Sequence, residues 1–181
     1  MNQVVLSGGV GFCNAVRRAL LSEIESWAVH QVEVRKNTSC QNDEFLAHRI
    51  GQLSFRKVGE GTSLQLHVAS RTVLARDITG RAFEVVHPDI EIMYLAPGQE
   101  IEMTLFLDKQ PAKAHARYSP CAAVGMDKID GEGRHRISFE LNDGRCPKET
   151  LLHALDYLDS NLDTALLSLA NQPSVPPRSF C

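Results

Sequence analysis

Apolar and polar positions alternate along much of this chain, and two stretches follow a helical period instead. Residues 2–7, NQVVLS, make a short strand candidate that ends in the loop SGGVG. From Asn14 to Trp27 the apolar side chains Val16, Leu20, Ile24 and Trp27 recur at spacings of four, four and three, which puts them on one face of a helix. Asn14 suits its N-cap. VHQVEVRKN then alternates, with Val32 and Val34 facing one way and Glu33 and Arg35 the other. From about 55 to 110 the pattern is mostly β. LQLHV alternates, and in EIEMTLFL the residues Ile101, Met103, Leu105 and Leu107 share a face. Turn signals at Gly59–Gly61, Gly80, Pro88 and Pro97–Gly98 cut this region into short strands. HRISFEL is a further strand candidate, with Ile137, Phe139 and Leu141 on one face.

The strongest periodic element comes last. Between Pro147 and Ala170 the residues Leu151, Leu155, Leu158, Leu162, Ala165 and Leu169 are spaced four, three, four, three, four, a heptad seam. Pro147 suits the first helical turn, and Glu149 suits its positive dipole end. Leu152, Leu166 and Leu167 widen the stripe beyond what one small sheet needs, so the pattern calls for a second chain. Pro173, Pro176 and Pro177 end the helix in a tail. The order of elements predicts an α+β fold. Two helices pack on a sheet built from both ends of the chain, and a β-rich domain is inserted between them.

Composition adds limits. The chain has 181 residues, 43% hydrophobic and 23% charged, with a net charge of −3. That balance supports a packed core and makes no demand for nucleic acid or an anionic membrane as a direct ligand. The acidic excess lies wholly beyond residue 120. No stretch approaches the roughly 20 apolar residues of a membrane span, and MNQVVLSGGVGF lacks the basic and apolar regions of a signal peptide. Five scattered cysteines without a CxxC pair fit a reducing compartment, and the paired ligands of a zinc site are missing.

Four kinds of chemistry come into question. VVLSGGVGFCNAVRR is a strand, glycine-rich turn and helix, with Glu33 about 20 residues on, as in a dinucleotide-binding unit. Asn14 occupies the third glycine position, however, and no repeated βαβ pattern follows. Cys40, Asp43 and His48 have the composition of a nucleophilic triad, but they are too close in sequence to converge from separate rigid elements. A short helix there would set Glu44 one turn from His48, within pairing distance. The seven histidines show neither HxH nor HExxH, so no metal is expected. Protein recognition remains. Arg17 and Arg18 cannot both face a core, and arginine pairs bidentately with carboxylates at interfaces. In DEFLAHRI, Phe45, Leu46 and Ile50 supply packing, while Asp43, Glu44, His48 and Arg49 fix register.

Four stretches, in order, resemble one family. FCNAVRRALLSEIESWAV is similar to the first-helix motif of alpha-type subunits of multisubunit RNA polymerases. NTSCQNDEFLAHRIGQLSF is similar to the motif that follows it, and HPDIEIMYLAPGQEIEMTL and AHARYSPCAAV resemble two later ones. The family comprises archaeal D-type members, the third-largest subunit of eukaryotic nuclear polymerase II and the N-terminal domain of bacterial alpha. The resemblance spans residues 12 to 170. It implies a discontinuous dimerisation domain at 1–37 and 132–175, an inserted β-rich domain at 38–131, and a tail at 176–181. It implies an assembly platform without catalytic residues or cofactor, reaching DNA only through the complex. The dimer face would hold Val16, Leu20, Ile24, Trp27, Leu151, Leu155, Leu158, Leu162 and Leu169, against a small L-like subunit. Asn14, Arg17, Arg18, Asp43, Glu44, His48 and Arg49 would dock the second-largest catalytic subunit and small zinc-bearing adaptor subunits. Two departures stand out: Glu25-Ser26 where the family has proline, and Ser54 where it has another. Some members hold a metal through clustered cysteines in the insert; here only Cys40 and Cys121 fall in that range. The chain is shorter than most cellular members, which fits a compact polymerase of a large DNA virus. The expected location is intracellular: nucleus, cytoplasm, or a virion or viral factory. A bacterial-alpha-like homodimer is the alternative within the class, and a small enzyme using Cys40, Asp43 and His48 the alternative outside it.

Overall fold

The computed structural model describes residues 1–129 and 133–171. The expected tail at 176–181 and its prolines lie outside them. The fold mixes helices with a sheet-rich body. In chain order the elements are β1 (Asn2–Ser7), α1 (Val10–Ser22), β2 (Glu25–Asn37), α2 (Asp43–Gly51), β3 (Phe55–Lys57), β4 (Ser63–Ala69), β5 (Thr72–Leu74), β6 (Ile78–Thr79), β7 (Phe83–Val85), β8 (Glu91–Tyr94), β9 (Glu100–Pro111), β10 (Cys121–Lys128), β11 (Arg134–Leu141) and α3 (Pro147–Ala170).

Three strands from the two ends form one sheet, in the order β1-β11-β10, and six form another, in the order β6-β4-β9-β2-β3-β7. Strands β5 and β8 pair on their own. Every strand pair among the described residues is antiparallel, which rules out a doubly wound nucleotide-binding sheet. Each sheet has its own hydrophobic core. The smaller gathers Val16, Ala19, Leu20, Ile24, Ile137 and Phe139 under α1 and the start of α3. The larger is built on the alternating residues of β4 and β9, with Leu46 and Ile50 of α2.

Two expectations need correction. Helix α1 runs Val10–Ser22, not Asn14–Trp27. Gly9, in extended conformation, is its N-cap, so Asn14 lies inside the helix. Trp27 belongs to β2, because the aromatic and β-branched run from Trp27 to Val34 pairs along β9 from Glu25↔Pro111 to Asn37↔Ile101. Its ring packs edge-on to Phe83 at 5.0 Å, beside the larger core. The sheets also part the chain at points other than residues 37 and 132. Strand β2 is spent on the six-stranded sheet, and β10 pairs with β11 in the three-stranded one.

Candidate functional site

Two surfaces carry the residues singled out by the sequence. The first is α3 with its neighbour α1. Thr150 and Ala154 are buried, and Leu151, Leu155, Tyr157 and Leu158 pack partly on the smaller core. From Asp159 to Ala170 every residue is exposed, which is about 18 Å of helix at 1.5 Å per residue. Leu162, Leu166, Leu167 and Leu169 are 62–65% exposed. Val16, Leu20 and Ile24 differ from expectation: at 0, 0 and 3% exposure they fill the chain's own core and offer nothing to another protein. In their stead α1 presents Phe12, 48% exposed, which borders a groove with Leu155, Leu158 and Leu162.

The two arginines of α1 part company. Arg17 is half-buried and donates from Nε to Asn14 Oδ1 at 3.0 Å. Arg18 is exposed and lines a groove with Ala15, Ser22, Glu23, Tyr157 and Leu158, on the α3 side. Glu23 closes that groove. Burial pushes its carboxyl up, but hydrogen bonds from Lys113, Tyr157 and Ser22 outweigh burial and hold it below the usual range. The Lys113 Nζ lies 2.6 Å from Glu23 Oε2.

The second surface is α2. The segment before it is a loop held by its own polar side chains. Asn37 donates from Nδ2 to Asp43 Oδ1 at 2.7 Å, and Ser39 donates to Asn37 Oδ1 at 2.6 Å. Asn42 caps the helix by accepting from the Phe45 N–H at 3.3 Å. Thr38 ties the loop to β9, donating from Oγ1 to the Glu100 carbonyl at 3.1 Å. The helix is anchored by Leu46 and Ile50, both fully buried. Phe45, expected to pack, is 44% exposed, with the Arg49 guanidinium 5.9 Å from its ring. Arg49 also donates from Nη2 to the Glu91 carbonyl at 2.8 Å. An apolar groove lies beside it, lined by His48, Gln52, Leu53, Ile90 and Ile92.

No triad forms here. Cys40 and His48 are exposed, and among the described residues no hydrogen bond joins Cys40, Asp43 and His48 to one another. Glu44 and His48 do not pair either. No group of three or more His, Cys, Asp or Glu is placed to hold a metal among the described residues. No helix among them is long and apolar enough to cross a membrane. Sequence reasoning missed Phe12, Tyr157 and Arg117. Phe12 had a signal, one helical turn before Val16. Tyr157 and Arg117 act on partners far along the chain and had none.

No family model matches the chain. It is 30% identical over 132 aligned positions to DNA-directed RNA polymerase subunit Rpo3 of Methanocaldococcus jannaschii, covering 70% of this chain and 69% of that protein. It is 30% identical over 181 positions to DNA-directed RNA polymerases I and III subunit RPAC1 of Mus musculus, covering 69% of this chain and 52% of that protein. It is 28% identical over 156 positions to DNA-directed RNA polymerases II, IV and V subunit 3 of Arabidopsis thaliana, covering 64% and 49%. The chain thus spans about half the length of these two eukaryotic relatives. None of the three is viral.

Proposed function

Because this chain belongs to the family of alpha-like DNA-directed RNA polymerase subunits that includes Rpo3 and RPAC1, we propose that it is a non-catalytic assembly platform of a multisubunit RNA polymerase. The observation that carries the reading is the far half of α3. A helix that leaves four leucines 62–65% exposed in a row needs a protein to cover them. A small L-like subunit is the mate. It lies on the leucine face of α3 and on Phe12 of α1, and a discontinuous unit made of β1, α1, β10, β11 and α3 is the dimerisation domain. The body carried between α1 and β10 is the insert.

The second-largest catalytic subunit binds through Asn14 and Arg17, on the side of α1 turned away from the α3 groove. Arg18, beside Leu158, belongs to the rim of the dimer face. The exposed Phe45, His48 and Arg49 of α2, with the groove next to them, receive a small zinc-bearing adaptor subunit. What supports this division is that Asp43 is engaged within its own loop, while Phe45 and His48 are exposed and Arg49, which donates to the Glu91 carbonyl, still lies at the surface.

An affinity pull-down of the tagged chain from its native cell, read by mass spectrometry, tests the reading. Two large catalytic subunits and one small L-like subunit are expected to co-purify. Recovery of the chain alone, as a soluble monomer, would refute it.

A further inference from the structure

The exposed part of α3 carries charge of one sign. From Asp156 to Ala170 it holds Asp156, Asp159 and Asp163 and neither lysine nor arginine. Positions i, i+3 and i+7 share a helix face, so the three form one stripe. On a heptad wheel Asp159 shares its position beside the seam with Leu166, Asp156 and Asp163 take the next position outward with Leu167 beyond them, and the other edge of the seam, at Asn161 and Ser168, is neutral. The fold agrees: Asp156 and Asp159 line the same groove as Phe12, Leu155, Leu158 and Leu162. All three carboxylates are exposed, and no ion pair or hydrogen bond engages them among the described residues.

Charges beside an apolar helix face decide which helix is accepted, through attraction to one partner and repulsion of another. Resting on the reading of α3 as the dimer face, we infer that Asp156, Asp159 and Asp163 are its specificity residues. They select a partner whose apolar helix is bordered by lysine or arginine, and they reject a second copy of this chain. A self-pair is two-fold symmetric, so each contact is made twice. If the far halves of α3 meet, carboxylate faces carboxylate. If they cross onto α1 instead, they meet the neighbouring groove, where Arg18 is accompanied by the Glu23 carboxylate, so one cation is set against three carboxylates. Both arrangements leave negative charge unmatched, whereas a basic-bordered helix matches it. The choice between heterodimer and homodimer is therefore written in this chain's own rim.

The test titrates the full chain with three synthetic helical peptides, followed by fluorescence anisotropy. They share one leucine seam and differ only in carrying lysine, glutamine or glutamate along its border. The lysine peptide is expected to bind tightest and the glutamate peptide weakest. Each exposed ion pair shifts affinity by roughly 1.5- to 5-fold, so three give a spread of roughly threefold to a hundredfold. The spread should collapse near about 1 M salt, where screening acts within about 3 Å. Changing Asp156, Asp159 and Asp163 together to Lys should reverse the order. Changing them to Asn should level it without disturbing the helix. Equal binding of the lysine and glutamate peptides, or an unchanged order after charge reversal, would overturn the inference and leave the dimer face standing. Binding of none of the three, with Leu162→Glu behaving as the parent chain does in the pull-down, would overturn the dimer face and the inference with it.

Discussion

Leu162→Glu separates what α3 does for its own fold from what it does for a partner. Leu162 is 64% exposed in the isolated chain. Fully burying a leucine is worth about 1.5–3 kcal/mol, so covering the exposed two thirds recovers about 1–2 kcal/mol. A glutamate in that place forfeits this gain and adds the cost of removing a carboxylate from water, at least another ~1–3 kcal/mol. The sum, about 2–5 kcal/mol, is a loss of partner affinity of roughly thirtyfold to a few thousandfold. The isolated chain should barely notice, with its stability within about 0.5 kcal/mol of the parent. Leu20→Ala is the converse. Leu20 is fully buried in the smaller core, so truncation should cost about 2–5 kcal/mol of stability. Leu158 is a poorer probe, because it is half-buried on that core and mixes the two effects. The assays are urea melts of the isolated chain and calorimetric titration with the small partner recovered by pull-down. Unchanged partner affinity for Leu162→Glu, or a melt shifted as far as that of Leu20→Ala, would refute the argument.

Other outcomes follow from the same geometry. Arg17→Glu should weaken retention of the second-largest catalytic subunit on the order of tenfold while the small partner stays bound, and Arg18→Glu should do the opposite; quantitative mass spectrometry of the co-purified subunits reads both, and exchanged effects would mean exchanged faces. Asp77 accepts from Arg71 Nη1 and Nη2 at 2.8 Å each and from the Leu74 N–H at 2.9 Å, and the Arg71 hydrogen bonds hold its carboxyl below the ordinary 3.8. A lowered carboxylate stabilises above its unfolded value and loses that effect as pH falls through the folded one, so Asp77→Asn should cost about 1–2 kcal/mol in urea melts at neutral pH, a gap that closes as pH falls below 3.8. Burial pushes the Cys121 thiol up to about 12, and Cys13 is fully buried, whereas Cys40 and Cys146 are exposed. Iodoacetamide should therefore label Cys40 and Cys146 in the native chain and spare Cys13 and Cys121 until it unfolds, as peptide mapping would reveal.

What the sequence made legible was local and repeated. Helix α3 falls on Pro147–Ala170, as its heptads and its proline indicated, because the period persists unbroken from Leu151 to Leu169 and nothing competes with it. Strand β9 buries Ile101, Met103, Leu105 and Leu107, as alternation required. Helix α1 was legible in kind but not in extent. The four-four-three spacing that includes Trp27 runs across a real boundary, and period alone cannot detect that β9 has claimed residues 25–37 for a sheet. Contacts between distant segments were invisible for the same reason. Arg49 meets the Glu91 carbonyl, Lys113 meets Glu23, and Arg117 donates from Nη1 to the Val29 carbonyl at 2.8 Å; these partners lie 42, 90 and 88 residues apart.

The contacts around α2 bear on DEFLAHR, which the sequence offers both as part of a catalytic triad and as a recognition surface. General acid–base catalysis needs proton-carrying groups within hydrogen-bond reach of a common point. Here Asp43 is committed to Asn37, at the loop that precedes α2. The C-terminal end of the helix is fixed separately. Arg117, from the HARYSP stretch, spans Gly51, from the HRIG stretch, to reach Val29; a Cβ on residue 51 would lie 3.5 Å from the guanidinium Nη1. A methyl group there would make ordinary van der Waals contact. Leu46 and Ile50 lock the middle. The helix is thus held rigidly at both ends and along its inner face, and what it turns outward is an aromatic ring, a histidine and an arginine bordering an apolar groove. Rigid backbone beneath an outward aromatic and arginine suits the docking role proposed for this surface, because preorganisation favours binding. The polar residues that looked like reagents are divided: Asp43 builds the loop, while His48 and Arg49 border the groove.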